Sequence, residues 1–122
     1  MKLQESGEMY LEAMLVLSQH KEHVRSIDIS EYRNYSKPSV SRAIKLLKEN
    51  GYINVSPEGY LTMTDKGREV AEKIYEHHVV LTKLLTQIGV DPEIAEEDAC
   101  RIEHIISDET FNAVKRFLKE NN

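Results

Sequence analysis

Cys100, Glu103 and His104 stand three and four residues apart. On a helix, positions i, i+3 and i+4 share one face, so a thiolate, a carboxylate oxygen and a ring nitrogen would point at one spot. Those are donor types that bind divalent transition metals, and packing alone rarely needs all three on a single turn. One turn cannot complete a site, so further donors must come from other elements. Met9 and Glu12, an i, i+3 pair, are candidates, and so is His78, which falls on the apolar side of a long helical pattern. His77 lies beside it, and periodicity does not separate the two. The plainer alternative is a buried cysteine acting as a small apolar residue next to a surface Glu-His pair. A nucleophilic Cys100 activated by His104 is a different chemistry. It needs an oxyanion hole and a substrate cleft, and no loop of this chain offers either, so the chain reads as a non-enzyme. His20 and His23 fall in a polar loop and are read as solvated.

A second chemistry is carried by residues 37–48, where Lys37, Arg42, Lys45 and Lys48 occur without an acid. Ser36, Ser39 and Ser41 are interleaved with them. The set suits DNA, with the serines on phosphates or base edges, Arg42 on a base edge, and Lys45 and Lys48 on phosphates. The formal net charge is −5, but residues 1–64 hold eight basic and eight acidic side chains, and residues 65–122 hold eight and thirteen. A basic stripe on a globally acidic chain is compatible with nucleic acid.

The elements that must position these residues follow from periodicity. Ser6 is placed to cap a helix over about 8–19, with Tyr10, Ala13, Met14 and Leu17 inward. A short helix is expected over about 27–33, then a turn at Asn34-Tyr35-Ser36. Ser36 caps a third helix that tolerates Pro38 in its first turn, buries Val40, Ile44 and Leu47, and stops at Asn50-Gly51. Ile53/Val55 and Leu61/Met63 alternate around Ser-Pro-Glu-Gly, a hairpin signal. Helices followed by a hairpin in this order make a winged helix-turn-helix. From Thr64, a long helix runs to about Gln87 with Val70, Ile74, Leu81 and Leu85 as its stripe. It is too long to pack only on the winged domain, so it is expected to reach a second module or a partner chain. Asp91-Pro92-Glu93 opens a fifth helix carrying Cys100, Glu103 and His104, and Ser107 opens a sixth with Phe111, Val114, Phe117 and Leu118 inward.

The whole therefore reads as mainly α, a winged helix-turn-helix over 1–64 and a helical module over 65–122, with helix 64–87 shared. No apolar run approaches the roughly 20 residues that span a bilayer, and the N-terminus lacks the layout of a signal peptide. A single cysteine cannot form an internal disulfide, so a reducing cytoplasm is expected.

At this point the chain resembles the diphtheria toxin repressor family of metal-dependent transcription regulators, which includes the manganese transport regulators. The likeness is carried by Glu8-Met9-Tyr10-Leu11, by Ser36-Lys37-Pro38-Ser39-Val40-Ser41, by Leu61-Thr62-Met63-Thr64, and by His78 with Leu84-Leu85-Thr86. Above all it is carried by Ala99-Cys100-Arg101-Ile102-Glu103-His104-Ile105 followed by Ser107-Asp108-Glu109. The resemblance implies a homodimeric, metal-activated repressor of palindromic operators that controls metal homeostasis, with residues 65–122 as its dimerisation and metal-binding module. In the iron branch, Met9, Cys100, Glu103 and His104 match the activating ligands and His78 an ancillary site. In the manganese branch, Glu12 and His78 join the helix-5 residues, and acids replace Met9 and Cys100. This chain mixes the two branches. The iron branch's ancillary acid falls on Thr82 and its ancillary histidine on Glu96, and the chain stops at Asn122, short of the SH3-like domain of longer members.

Thioether and thiolate donors favour iron(II), cobalt, nickel or zinc over manganese, which prefers oxygen. Iron(II) is the expected effector, with manganese(II) second because of Glu12. The alternative is a winged-helix DNA-binding regulator with a structural or redox-sensing Cys100 and no metal effector.

Overall fold

The computed structural model describes residues 5–121. Six helices and one hairpin follow in the order α1 (Glu5–Ser18), α2 (Ser26–Arg33), α3 (Lys37–Glu49), β1 (Ile53–Val55), β2 (Leu61–Met63), α4 (Asp65–Gln87), α5 (Pro92–Ile102) and α6 (Asp108–Glu120). The chain divides into two compact units at Glu72/Lys73, inside α4. None of the helices described is long and apolar enough to cross a membrane.

In the first unit, α1 is more deeply embedded than its i, i+3 pattern suggests. Leu11 and Leu15 are buried along with Tyr10, Ala13 and Met14, while Leu17 is only half-buried. The helix begins before Ser6, which lies inside it and not at its cap. Its neighbours contribute Ile29, Val40, Ile44 and Leu47, all buried, and each such side chain contributes about 1.5–3 kcal/mol of transfer free energy. Asn34 ends α2 in the left-handed region at φ 56°, and its N–H reaches the Ser30 carbonyl. Ser36 caps α3, accepting the Ser39 N–H at 3.3 Å, and the left-handed Gly51 (φ 79°) follows the end of the helix.

The antiparallel hairpin pairs Ile53 with Met63 and Val55 with Leu61, so Ile53 and Leu61 share the buried face. Val24 adds a short bridge to Leu61, with the Leu61 N–H donating to the Val24 carbonyl at 2.7 Å. Sequence alternation does not reveal this bridge, because it involves one residue. Thr64 caps α4 by accepting the Gly67 N–H at 3.1 Å. Gly67 is required there for another reason: a Cβ would run into the Tyr52 carbonyl oxygen, against which the first turn of α4 packs.

The second unit is held by Ala95 and Ala99 of α5, Ile74 and Leu81 of α4, and Phe111 and Leu118 of α6. Lys73 to Asp108 (3.0 Å) and Lys115 to Glu76 (3.2 Å) tie α4 to α6 at the surface. Three expectations shift here. Asp91 sits at the N-cap of α5 without a side-chain cap bond. Phe117 is 49% exposed, on the solvent side of α6. The buried stripe of α4 runs through Ala71, Ile74, His77 and Leu81, while Val70 and Leu85 are half-buried.

Candidate metal centre and nucleic-acid interface

Helix α5 ends at Ile102, so Glu103 and His104 lie in the turn beyond it and not on the helix. Glu103 keeps helical dihedrals (φ −57°, ψ −24°) and its N–H still reaches the Ala99 carbonyl. The i, i+3 and i+4 relation thus survives the end of the helix in part. A turn that opens to α6 frees the Glu103 carbonyl to receive a side chain, and His77 takes it: Nδ1 lies 3.0 Å from that oxygen. The His77 ring is 3% exposed and packs against Phe111, with centroids 4.0 Å apart. Periodicity alone does not separate His77 from His78; the signal for His77 is its place on the stripe of Ile74 and Leu81.

Around the Glu103 carboxylate the second unit gathers imidazoles. His78 Nδ1 is 2.9 Å from Oε2, and His104 Nε2 is 3.2 Å from Oε1. The carboxylate is fully buried, a position in which an ionised group must be paired and hydrogen-bonded. His78 Nε2 lies 3.8 Å from Glu96 Oε1, so a second acid approaches the same ring. Thr82 has a buried hydroxyl with no hydrogen-bond partner among the described residues. Cys100 is a half-buried thiol one turn before Glu103. The structure therefore brings together His78, Glu103 and His104. A buried carboxylate and two imidazoles, with a thiol one turn away, suit a divalent transition metal and fit poorly with a site for magnesium or calcium, which take mainly oxygen.

In the first unit, Met9 and Glu12 sit one turn apart on α1. The Glu12 carboxylate is buried and lies 3.3 Å from Arg33 Nη2. The Tyr35 hydroxyl donates to Met9 Sδ at 3.9 Å, and the Tyr35 ring packs on Tyr10 with centroids 5.2 Å apart. Neither Arg33 nor Tyr35 is visible as a site residue in the sequence, because their link to α1 depends on how α2 returns across it.

Helix α3 presents Ser36, Lys37, Pro38, Ser41, Arg42, Lys45 and Lys48 to solvent, with Ser39 half-exposed. Ser36 Oγ also donates to Ser39 Oγ at 2.8 Å, and Arg42 Nη2 donates to Ser39 Oγ at 3.3 Å. The serine hydroxyls near the helix start are thus pre-organised by the cap. The hairpin end carries a cluster of stacked side chains. His23 stacks on Tyr60 (4.1 Å, 6° between planes) and Arg25 covers the same ring at 4.8 Å, so His23 is exposed but held. Glu58 beside them has its carboxyl held below the usual range, first by its own backbone N–H and then by Ser56, with Arg25 and His23 adding.

The sequence pattern described as "Iron dependent repressor, N-terminal DNA binding domain" matches residues 2–61. The one described as "Iron dependent repressor, metal binding and dimerisation domain" matches residues 64–122. The chain is 31% identical over 120 residues to an uncharacterized HTH-type transcriptional regulator of Methanocaldococcus jannaschii, covering 97% of this chain and 96% of that protein. It is 31% identical over 111 residues to the transcriptional regulator MntR of Escherichia coli, covering 91% of this chain and 72% of that one. Against the diphtheria toxin repressor of Corynebacterium glutamicum the figures are 34% over 119 residues, 97% and 52%, so the chain spans about half of that relative's length. The solved structure of the manganese regulator SloR superposes with a TM-score of 0.82 at 25% identity, over 98% of this chain and 55% of that one.

Proposed function

This chain belongs to the family of metal-dependent transcription regulators that holds the diphtheria toxin repressors and the manganese regulators, and on that premise we propose that it is a homodimeric repressor of palindromic operator DNA, activated by iron(II), with manganese(II) the second choice. The observation that carries the metal reading is the buried Glu103 carboxylate between two imidazoles at 2.9 and 3.2 Å. We assign the ion to Met9, Glu12, His78, Cys100, Glu103 and His104, following the family's ligand positions. Residues 1–64 are the DNA-binding domain and 65–122 the dimerisation and metal-binding domain, acting in the cytoplasm, where a lone thiol stays reduced.

Bound there, a divalent ion supplies a positive charge and directed coordination that neutralise the buried carboxylates. The remaining work belongs to the chain. His77 holds the Glu103 carbonyl and so the turn that carries two donors. Ser36 fixes the start of α3, which places Arg42 and Lys45 for a base edge and a phosphate. Donors drawn from α1 and from α4–α5 tie metal occupancy to the separation of the two recognition helices in the dimer. A palindrome needs that separation near one helical repeat, roughly 34–36 Å or a multiple. By linkage, operator DNA must then tighten metal binding by the factor by which metal tightens DNA binding.

The test is operator affinity of the purified protein under anaerobic conditions with iron(II), manganese(II), zinc(II) and chelator. Equal affinity with chelator and saturating metal overturns the reading. In Cys100→Ser the response to iron(II) and zinc(II) is expected to weaken more than the response to manganese(II). An unchanged ranking removes Cys100 from the ligand set.

A further inference from the structure

Both candidate donors of α1 are occupied by residues of the segment that leads into the recognition helix. Arg33, the last residue of α2, reaches Glu12 Oε1 through Nη2 at 3.3 Å. Two residues on, the Tyr35 hydroxyl meets Met9 Sδ at 3.9 Å. Tyr35 is itself fixed to α2, because its N–H donates to the Ser30 carbonyl at 3.0 Å and its carbonyl accepts the Ser30 hydroxyl at 2.6 Å. The next residue is Ser36, the cap of α3. All of these contacts lie within the winged unit.

Arg33 is a poor choice if the only need is to neutralise Glu12. Its side chain is 24% exposed against 4% for Glu12, and its Nε is buried with no hydrogen-bond partner among the described residues. A guanidinium that engages one carboxylate oxygen through one nitrogen, with another of its donors unsatisfied, forms less than the two-fold fork that arginine makes with carboxylates. Such a contact holds the carboxylate but yields it to a stronger partner.

We propose that Arg33 is a positioning residue for the metal site, a permanent internal cation that occupies the Glu12 carboxylate and that a divalent ion must displace. The inference rests on the reading of Glu12 as a ligand. It assigns Arg33 two consequences. The guanidinium raises the metal concentration needed for occupancy, because a like charge stands at the ligand. Its release changes what anchors the end of α2, immediately before the Asn34–Ser36 turn, so the recognition helix senses occupancy inside its own unit.

The experiment measures manganese(II) binding to the full chain by equilibrium dialysis at fixed pH and salt for Arg33→Met, Arg33→Gln, Arg33→Lys and Glu12→Gln, with circular dichroism confirming the fold of each. Arg33→Met and Arg33→Gln are expected to bind manganese(II) roughly twofold to fivefold more tightly than wild type, the scale of a partly exposed ion pair. Arg33→Lys keeps the charge and is expected to stay near wild type. Where one neutral variant fails to fold, the other carries the comparison. Unchanged or weaker binding in the neutral variants overturns the inference, and so does equal tightening in Arg33→Lys, which would make charge irrelevant. Glu12→Gln separates the two readings. If it leaves binding unchanged, Glu12 is no ligand and both fail. If it weakens binding while the neutral Arg33 variants do not strengthen it, only the role of Arg33 fails.

Discussion

Glu12 and Glu103 are both carboxylates taken out of water, at 3% and 1% exposure, yet the two units neutralise them with different chemistry. The winged unit sets an arginine against Glu12. The helical unit sets two histidines against Glu103 and a third against its carbonyl. Arginine is always charged and has no lone pair to offer, so beside a metal ligand it is a competitor. Histidine can give up its proton and become a ligand itself, so beside a metal ligand it is a colleague. On the proposed ligand set, the two carboxylates are therefore expected to respond differently to perturbation, Glu103 as a member of an ion-binding cluster and Glu12 as a group that an ion must first win from Arg33.

The largest effect expected from this difference is at Glu103. Glu103→Gln keeps the shape but removes the charge and replaces one acceptor oxygen with a donor, and it is expected to weaken manganese(II) and iron(II) binding by more than about 100-fold, beyond what loss of an outer partner causes. Isothermal titration on the folded variant checks it. A loss of less than tenfold would make the His78–Glu103–His104 cluster a structural network and erase the contrast with Glu12.

A smaller effect sharpens the role of the third histidine. An asparagine amide nitrogen falls where His77 Nδ1 sits, whereas that of glutamine falls near Nε2. His77→Asn is therefore expected to hold the Glu103 carbonyl and bind metal nearly as wild type does, and His77→Gln to lose roughly tenfold in affinity, typical of an outer-shell residue. Equal losses in the two would mean that only the packing against Phe111 matters. Much of this site was legible beforehand. Cys100, Glu103, His104 and His78 announced themselves by residue type and spacing, which are local properties. His77 and Arg33 did not, because a histidine on an apolar stripe and an arginine at a helix end have ordinary local explanations. Their roles arise from partners 26 and 21 residues away.

The smallest effect concerns a third carboxylate, at the start of α2. Asp28 accepts the Arg25 N–H at 2.8 Å and pairs with Lys21 at 2.6 Å. Its carboxyl is held below the ordinary value of 3.8, chiefly by the hydrogen bond from Lys21. A carboxyl whose folded pKa is depressed contributes stability above its unfolded pKa, and that contribution is lost as pH falls through the folded value. Asp28→Ala is expected to cost about 1 kcal/mol near neutral pH, as loss of a helix cap does. The gap from wild type should begin to shrink as pH falls below about 3.8, where the unfolded carboxyl protonates, and close once pH has passed below the depressed folded value. Urea denaturation at neutral and at acid pH measures this. A gap that persists in acid would mean that the side chain acts by packing. Metal affinity is expected to be unchanged, which sets Asp28 apart from both buried carboxylates.

What the sequence by itself determined is what depends on neighbours along the chain. The cap at Ser36, the inward Val40, Ile44 and Leu47, the hairpin register, and the restart at Ser107 follow from hydrogen bonds and periodicities spanning a few residues. Tertiary structure decided what depends on distant partners. It made α1 a helix buried beyond a single stripe, ended α5 before Glu103, placed His77 inside, and left Phe117 outside. It also matched each buried carboxylate to its partner. Donor types are written residue by residue, but which cation neutralises which acid depends on how the helices return upon one another.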